Sequence, residues 1–308
     1  MGRILITGSS GLIGGALARQ LRRTGHEVVG FDVAAPRGAG FGDVTDQGMC
    51  MAAMAGCTGV VHLAAVSRVI WGERDPARCR EVNVGGTDNI LAAAHQNPGR
   101  PWVLLASSRE VYGQATVFPV SEDAPLQPMN AYARSKAAAE ELAAAGRRGG
   151  DRISVIRFCG VYGTTGDHAD RVAPGFARQA ATGGVLRVDG ADTTLDFTHL
   201  DDVTEALERV IGMLEAGEVG LPTLHLVSGR GIRLADLAAL AVEVAGRGEV
   251  VIAPPRTYDI SRFTGDPARA QRVLGWRAHT PLADGIARLV AQFQAALAPG
   301  APTPRRPA

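Results

Sequence analysis

Gly8-Ser9-Ser10-Gly11-Leu12-Ile13-Gly14 follows a short apolar run at residues 3–7 and leads into an alanine-rich stretch of helical period. Three glycines thus recur at a spacing of three, where a strand passes into a helix. Without side chains, the backbone of such a turn can approach a diphosphate, and the amino end of the helix offers N–H groups and a partial positive charge. The turn predicts a dinucleotide site. Its expected contacts are Gly8, Ser10, Gly11, Leu12, Ile13 and Gly14.

Beyond this turn, short apolar runs alternate with helical stretches, a pattern typical of a parallel sheet covered by helices. We predict strands at residues 3–7, 27–32, 59–64, 101–107, 153–158 and 223–227. We predict helices from Leu12, from near Asn83, and over 132–145, 203–214 and 234–245. The expected fold class is α/β, with a doubly wound, Rossmann-like parallel sheet and a smaller, interleaved C-terminal α/β lobe.

The domain boundaries follow from where this alternation loosens. We expect a dinucleotide-binding Rossmann domain at 1–163 with about 198–228, and a substrate-binding lobe at about 164–197 with 229–297. Residues 298–308 hold four prolines and little to bury, which predicts a disordered tail.

Composition limits the classes of partner. The 308 residues are 46% hydrophobic and 20% charged, with a net charge of +1, so no broad electrostatic footprint favours nucleic acid or an anionic membrane. The four cysteines form no CxxC pair and the histidines show no ligand spacing, so we expect no metal site. No apolar stretch reaches the roughly 18 residues of a membrane helix. We therefore expect a soluble, cytoplasmic protein.

Asp32 ends the second predicted strand, eighteen residues after Gly14. A carboxylate at that place can accept hydrogen bonds from both hydroxyls of an adenosine ribose, and it would repel a 2′-phosphate. The nearest basic residue that follows is Arg37. Asp32 therefore favours NAD over NADP as the cofactor.

Tyr132 and Lys136 stand four residues apart, on one face of a predicted helix. Lys136 is the only lysine in the chain, since the other 31 basic residues are arginine. A nearby ammonium lowers the pKa of a phenol, which would make Tyr132 a usable base at neutral pH, and it can also reach the ribose hydroxyls. The pair predicts catalysis on a substrate hydroxyl, with both residues also touching the cofactor.

Further segments carry a family resemblance. They are Asp43-Val44, His62-Leu63-Ala64-Ala65, Asn83-Val84-Gly85-Gly86-Thr87, Ser107-Ser108-Arg109-Glu110-Val111-Tyr112-Gly113 and Leu274-Gly275-Trp276. With the glycine turn and the Tyr-x-x-x-Lys spacing, the chain resembles the extended short-chain dehydrogenase/reductases, specifically the nucleotide-sugar epimerase/dehydratase family. The resemblance covers nearly the whole chain.

The resemblance implies roles for these segments. Asp43 and Val44 would border the adenine, and Leu63, Ala64, Ala65 and Asn83 would line the cofactor. Ser108 would be the third catalytic residue, and its hydroxyl could steady the substrate oxygen that faces Tyr132. A homodimer is also implied, through the helices after Asn83 and around Tyr132.

The residues after Ser108 bear on the reaction. Dehydratases of the family carry an adjacent aspartate and glutamate there, whereas this chain has Arg109 and Glu110. Because arginine cannot deliver a proton at neutral pH, 4,6-dehydration is disfavoured. Glu110 is a candidate catalytic base at C5 of the sugar. Arg109 could hold a substrate carboxylate or phosphate, and for both residues a salt bridge is the competing interpretation.

Three positions bear on the nucleotide. Gly160 stands where the family usually has a phosphate-contacting asparagine, and Leu195 stands where it usually has an arginine. Arg256, within Arg256-Thr257-Tyr258-Asp259, matches a diphosphate-binding arginine. We take Arg109, Gly160 and Arg256 as the candidate substrate contacts.

The leading hypothesis is an NAD-dependent nucleotide-sugar epimerase that acts at C4 through a transient 4-keto sugar. The alternatives are a decarboxylase, dehydrogenase or dehydratase acting on a nucleotide-linked uronic acid or hexose, and a non-catalytic NAD-binding scaffold. A non-catalytic scaffold would be expected to lack one or more of the serine, tyrosine and lysine, whereas this chain has all three.

Overall fold

The strands lie within residues 1–168, 170–256 and 260–297, which a computed structural model of the chain describes. They are β1 (Arg3–Thr7), β2 (Glu27–Phe31), β3 (Gly59–His62), β4 (Trp102–Ser108), β5 (Ile153–Phe158), β6 (Val161–Tyr162), β7 (Val185–Asp189), β8 (Thr194–Asp196), β9 (Thr198–His199), β10 (Leu224–Leu226), β11 (Gly231–Arg233) and β12 (Glu249–Ala253).

The α-helices of the same ranges are α1 (Leu12–Arg23), α2 (Gln47–Met54), α3 (Val69–Arg74), α4 (Pro76–Arg80), α5 (Gly86–Gln96), α6 (Ala131–Arg148), α7 (Val172–Thr182), α8 (Leu200–Glu215), α9 (Leu234–Ala245), α10 (Ala268–Leu274) and α11 (Leu282–Ala296). A π-helical turn spans Glu81–Gly85 and a 3₁₀ turn spans Arg109–Tyr112. None of the described helices is both long and apolar enough to span a membrane.

The six-stranded sheet has the order β10-β5-β4-β3-β1-β2, and the pairs from β5 to β2 run parallel. The chain enters at β1, adds β2 on one side, and then crosses to β3 on the other side. The order therefore reverses between β1 and β3, and ligands of such sheets bind at the carboxyl ends of the strands where this happens. The predicted doubly wound, Rossmann-like α/β class is confirmed.

Apolar residues explain why these segments form a sheet with helices on it. Leu5, Val60 and Val103 on β1, β3 and β4 are fully or almost fully buried, as expected of parallel strands covered on both faces. α1 turns Leu17, Ala18 and Leu21 inward, and it ends just before Gly25, whose φ is +90°. These contacts hold the glycine turn against the end of β1.

The chain divides into two units. The first comprises Met1–Gly113, Glu122–Phe158 and Thr204–His225, and the second comprises Gln114–Ser121, Cys159–Val203 and the described residues of Leu226–Ala308. The second unit has its own core, in which Phe176, Leu237 and Leu289 of α7, α9 and α11 are buried. The domain boundaries expected from the sequence stay a prediction.

One predicted helix differs from the structure. We expected a helix to begin near Asn83, but α4 already begins at Pro76, and Asn83 lies inside the π-helical turn that joins α4 to α5. Pro76 follows Asp75, whose side chain accepts a hydrogen bond from the Arg78 N–H and caps the helix. This start signal precedes the expected helix start at Asn83 by about two helical turns. The predicted tail at 298–308 falls outside the described residues.

Candidate active site

The glycine turn is shaped by close backbone approaches. Gly8 has φ +70°, and a Cβ there would lie 2.8 Å from the Ala64 nitrogen, while a Cβ on Gly14 would lie 2.2 Å from the Gly8 oxygen. Packing within the protein thus requires glycine at both positions. At Gly11, a Cβ would meet only the Gly8 oxygen, at 3.3 Å. Because no protein atom crowds Gly11 more closely, its lack of a side chain fits the approach of a ligand.

Asp32 lies directly beside this turn. One carboxylate oxygen accepts the Ser10 N–H at 2.8 Å and the other accepts the Ala34 N–H at 2.8 Å. Each oxygen retains a lone pair for a ribose hydroxyl. The guanidinium of Arg37 lies 5.0 Å above the Phe41 ring. The turn and Asp32 together therefore fit a dinucleotide with a free 2′-hydroxyl.

Asp43 and Val44, the expected adenine neighbours, lie in the loop between β2 and α2. Burial opposes ionisation of Asp43, yet hydrogen bonds from Thr45 and the charge of Arg78 hold its pKa below the ordinary value. Val44 is buried, and its carbonyl accepts a hydrogen bond from Asn89 at 2.9 Å. The loop is thus held by contacts within the protein, among them residues of α4 and α5. Its place beside an adenine stays a prediction.

Thr7, at the end of β1, organises the loop after β3. Its Oγ1 accepts the N–H groups of Leu63 and Ala64 at 3.2 and 3.1 Å, and it lies 2.7 Å from His62 Nδ1. His62 Nε2 lies 3.1 Å from Thr87 Oγ1. Burial, and then the charge of Lys136, lowers the pKa of His62 to about 3, so the imidazole is neutral. The expected cofactor-lining loop 63–65 is held by Thr7, which the sequence did not single out.

Asn83 connects that loop to α6. Its Oδ1 accepts the Val66 N–H at 2.7 Å, and its Nδ2 donates to the Val66 carbonyl at 3.1 Å and to Ser135 Oγ at 2.8 Å. Asn83 is only 2% exposed. Its amide therefore holds the loop after β3 beside the helix of Tyr132, while a direct cofactor contact stays a prediction.

Tyr132 and Lys136 are both buried on α6, which packs against β4. Lys136 Nζ donates to the Ala106 carbonyl of β4 at 3.0 Å. Burial lowers the pKa of Lys136 to about 8, while Cys79 and Glu140 act in the opposite direction. At neutral pH the group therefore remains mostly an ammonium.

Ser108 is the last residue of β4. Its Oγ accepts the Glu110 N–H at 3.2 Å, which leaves the hydroxyl hydrogen to be donated to a substrate oxygen. Ser107, which alternates to the other face, is buried and donates to Glu140 Oε1. Ser107 therefore ties β4 to Glu140 of α6 and lies on the face opposite to that of Ser108.

Arg109 and Glu110 bind each other. Arg109 Nη2 lies 2.6 Å from Glu110 Oε1, and both side chains are largely buried, 14% and 9% exposed. The other carboxylate oxygen, Oε2, accepts Asn130 Nδ2 at 3.2 Å. The salt bridge predicted as the competing interpretation of these two residues is therefore present. It is buried rather than on the surface.

The remaining candidates lie in the second unit. Gly160 has φ +49°, and a Cβ there would lie 2.3 Å from the Asp196 carbonyl oxygen. Leu195 precedes Asp196 on β8. Arg256 is exposed, and residues 257–259 that follow it fall outside the described residues. The glycine turn, Asp32, Ser108, Tyr132 and Lys136 all lie in the first unit, and their roles, like the substrate contacts, stay a prediction.

Within residues 1–168, 170–256 and 260–297, no three His, Cys, Asp or Glu side chains lie close enough together to hold a metal ion. His199 of the second unit is buried, its Nδ1 accepts the Asp201 N–H at 3.2 Å, and burial lowers its pKa.

Residues 4–221, well over half of the chain, match the family model described as the NAD dependent epimerase/dehydratase family. The chain belongs to this family. The predictions of the family and of NAD as its cofactor are confirmed. The family comprises enzymes, so the predicted enzyme class is confirmed as well.

Individual relatives of this NAD dependent epimerase/dehydratase chain carry different activities. It is 32% identical to a UDP-glucose 4-epimerase of Mycolicibacterium smegmatis, over 95% of this chain and 98% of the relative. It is 30% identical to a dTDP-glucose 4,6-dehydratase of Streptomyces griseus, over 94% and 93%. A UDP-glucose 4-epimerase of Thermotoga maritima, crystallised with UDP-glucose, superposes with a TM-score of 0.88 at 26% identity, covering 96% of this chain and 100% of that one. Sequence identity alone therefore does not distinguish epimerisation from dehydration for this chain.

Proposed function

We propose that this chain is an NAD-dependent nucleotide-sugar epimerase that inverts C4 of the sugar through a transient 4-keto intermediate. The observation that carries the proposal is the burial of Tyr132 and Lys136 on α6, which packs on β4 where Ser108 is the last residue. A base, a cation and a hydroxyl are the groups needed to deprotonate a secondary alcohol reversibly.

In the proposed mechanism the phenolate oxygen of Tyr132 takes the proton of the C4 hydroxyl. Lys136, mostly an ammonium at neutral pH, stabilises that phenolate. Ser108 donates its hydroxyl hydrogen to the same substrate oxygen as the carbonyl forms. When bound, NAD supplies the hydride acceptor and donor, held by the glycine turn and by Asp32 through the ribose. Tyr132 then returns the proton to the oxygen of the inverted centre.

The residues after Ser108 favour epimerisation over dehydration. Loss of water across C5 and C6 needs an acid for the departing hydroxyl, and a guanidinium does not give up its proton at neutral pH. The Arg109 guanidinium is moreover bound to Glu110 at 2.6 Å. Epimerisation at C4 needs neither an acid nor a base beyond Tyr132.

The proposal is tested with a panel of UDP-, dTDP-, GDP- and CDP-linked sugars, incubated without added reductant. We expect a product of unchanged mass, with inverted configuration at C4 by NMR. Loss of water or carbon dioxide, or a net oxidation, would instead identify a dehydratase, decarboxylase or dehydrogenase. Absence of turnover across the panel, with NAD bound, would support the scaffold.

Replacing Tyr132 with phenylalanine removes the proposed base and keeps the aromatic ring. We expect kcat for the active sugar to fall by at least about 100-fold, with bound NAD retained. Tyr162→Phe serves as the matched control, because Tyr162 is a buried tyrosine of the second unit's core. An unchanged kcat in Tyr132→Phe would contradict the mechanism.

We further propose that the chain works as a cytoplasmic homodimer. The four cysteines are buried free thiols, which suits a reducing compartment. The dimer would form through α5 and α6, the helices after Asn83 and around Tyr132. Light scattering of the purified protein tests the oligomeric state, and fractionation of cells tests the compartment.

A further inference from the structure

Glu110 touches both ends of the Ser-Tyr-Lys arrangement. Its backbone N–H donates to Ser108 Oγ at 3.2 Å, at the end of β4. Its side chain accepts a hydrogen bond from Asn130 Nδ2 at 3.2 Å. Asn130 is the residue that caps α6, two positions before Tyr132. One residue thus links the strand of the catalytic serine to the helix of the catalytic tyrosine.

The first turn of α6 depends on this link. Asn130 is 3% exposed, and its Oδ1 accepts the Ala133 N–H at 2.8 Å. The Ala131 N–H donates to Glu73 Oε1 at 2.7 Å. Glu110 orients the Asn130 amide, since a carboxylate accepts only from the NH₂ side and so leaves the amide oxygen for the helix. A negative charge there also interacts favourably with the positive amino end of the helix.

The surroundings of Glu110 suit a structural carboxylate better than a base. The residue is 7% exposed, and each of its oxygens already accepts a bond, one from Arg109 at 2.6 Å and the other from Asn130. A base at C5 must bring an oxygen within hydrogen-bond reach of the proton that it removes. Each Glu110 oxygen keeps a second lone pair, but the contacts to Arg109 and Asn130 fix the position of the carboxylate, and turning an oxygen toward a C5 proton would break one of these buried contacts.

We propose that Glu110 is a positioning residue, which fixes Tyr132 relative to Ser108 through the Asn130 cap and performs no proton transfer. This inference rests on the proposed function, since it concerns the same catalytic groups. A displacement of about 1 Å at reacting groups can reduce a rate by about 100-fold, so such a link is able to control kcat.

A double-mutant cycle tests the link. We expect Glu110→Ala and Asn130→Ala each to lower kcat by roughly ten- to 100-fold with KM changed less than about threefold, and the double variant to be no worse than the poorer single one. Glu110→Gln keeps an oxygen for the Asn130 amide, so it should recover most of the loss. Glu218→Ala is the control, because Glu218 is an exposed carboxylate of the same unit that lies outside the two helices proposed for the dimer.

A second measurement needs no sugar substrate. Hydrogen exchange of the peptide around Ala133 should be faster in Glu110→Ala than in wild type or Glu110→Gln, because the cap is loosened. If no sugar of the panel turns over, the proposed function fails, and exchange alone decides whether Glu110 holds the helix. Unchanged exchange overturns the inference. Losses of kcat that multiply in the double variant also overturn the inference. It is likewise overturned if Glu110→Gln is as inactive as Glu110→Ala and the wild-type enzyme introduces deuterium from heavy water at C5 of the sugar.

Discussion

Lys136 has the most unusual environment of the residues in the proposed site. It is the only lysine among 308 residues, it is 6% exposed, and Nζ donates to a backbone carbonyl. An arginine could not replace it without a larger cavity for the guanidinium. Burial of this ammonium destabilises the protein, so its retention in an otherwise lysine-free chain is consistent with catalysis.

The cost of burying Lys136 should appear in the pH dependence of stability. Its pKa is about 8 in the folded protein and near 10.5 when exposed, so between these values the unfolded chain binds one more proton than the folded one. Lys136 should therefore add a rise in the free energy of unfolding with pH in this window, of up to about 1.4 kcal/mol per pH unit. Buried thiols such as Cys50, whose pKa burial raises to about 11, act in the opposite direction, so the test is the difference between wild type and Lys136→Met in urea unfolding, which should grow with pH. Parallel pH curves would contradict the prediction.

A side chain at Gly160, including the asparagine that the family usually has there, would overlap the protein's own backbone. Its φ of +49° is left-handed, and a Cβ would overlap the Asp196 carbonyl. Gly246 has φ +65° with nothing within 4 Å of its Cβ position. We expect Gly246→Ala to lower the free energy of unfolding by about 1–2 kcal/mol, and Gly160→Ala to lower it by at least about 1 kcal/mol more. Equal urea midpoints would show that the overlap is relieved without cost.

At the scale of elements, a buried ion pair ties α6 to the sheet. Glu140, one turn after Lys136, accepts from Arg157 Nε at 2.9 Å and Nη2 at 2.6 Å, and it also accepts from Ser107. Arg157 lies on β5 and Ser107 on β4. α6 is therefore bound to two strands, one helical turn after Lys136. These bonds help to fix the position of Tyr132 along the sheet.

Removing one partner of this pair should be strongly destabilising. Arg157→Met leaves the Glu140 carboxylate buried without its cation, and we expect the free energy of unfolding to fall by about 3–5 kcal/mol. Arg233 and Asp236 form a similar two-bond pair, at 2.8 and 2.7 Å, but on the surface. Arg233→Met should therefore change the urea midpoint far less. Comparable losses in the two variants would mean that burial does not govern the strength of the pair.

At the scale of the whole molecule, strand order indicates where a cofactor would bind. β1 and β3 are neighbours in the sheet, yet the chain leaves them toward opposite sides. In sheets of this kind ligands bind at the carboxyl ends of such a strand pair, and here Gly8 follows β1 and Leu63 follows β3. Residues far apart in sequence thus meet at one edge of the sheet.

Binding at this edge of the sheet should stabilise the folded chain selectively. We expect NAD at 100 times its Kd to stabilise the protein by about 2.7 kcal/mol and to raise its Tm accordingly. NADP at the same concentration should have little effect, because Asp32 repels the 2′-phosphate. In Asp32→Ala the difference between the two cofactors should shrink, as thermal unfolding can show. A larger Tm shift with NADP in wild type would refute the assignment of Asp32.

The sequence by itself determined the features that depend on local spacing. Apolar period separated strands from helices, as for β1, β5 and α9, and the glycine spacing indicated the dinucleotide turn. The four-residue interval of Tyr132 and Lys136 placed both on one helix face, because an α-helix returns to the same face at that distance. Each of these signals lies within a few residues of the structure that it predicts.

Only the tertiary structure decided which distant groups meet. No periodicity relates Glu110 to Asn130, Glu140 to Arg157, or Thr7 to His62, because a partner brought near by strand order leaves no spacing in the sequence. The one available signal was a polar residue inside an apolar strand, such as Thr7 or Ser107. Such a residue indicates that a buried polar partner exists, but not which residue it is. Local chemistry therefore indicates what the side chains can do, while packing determines which of them act together.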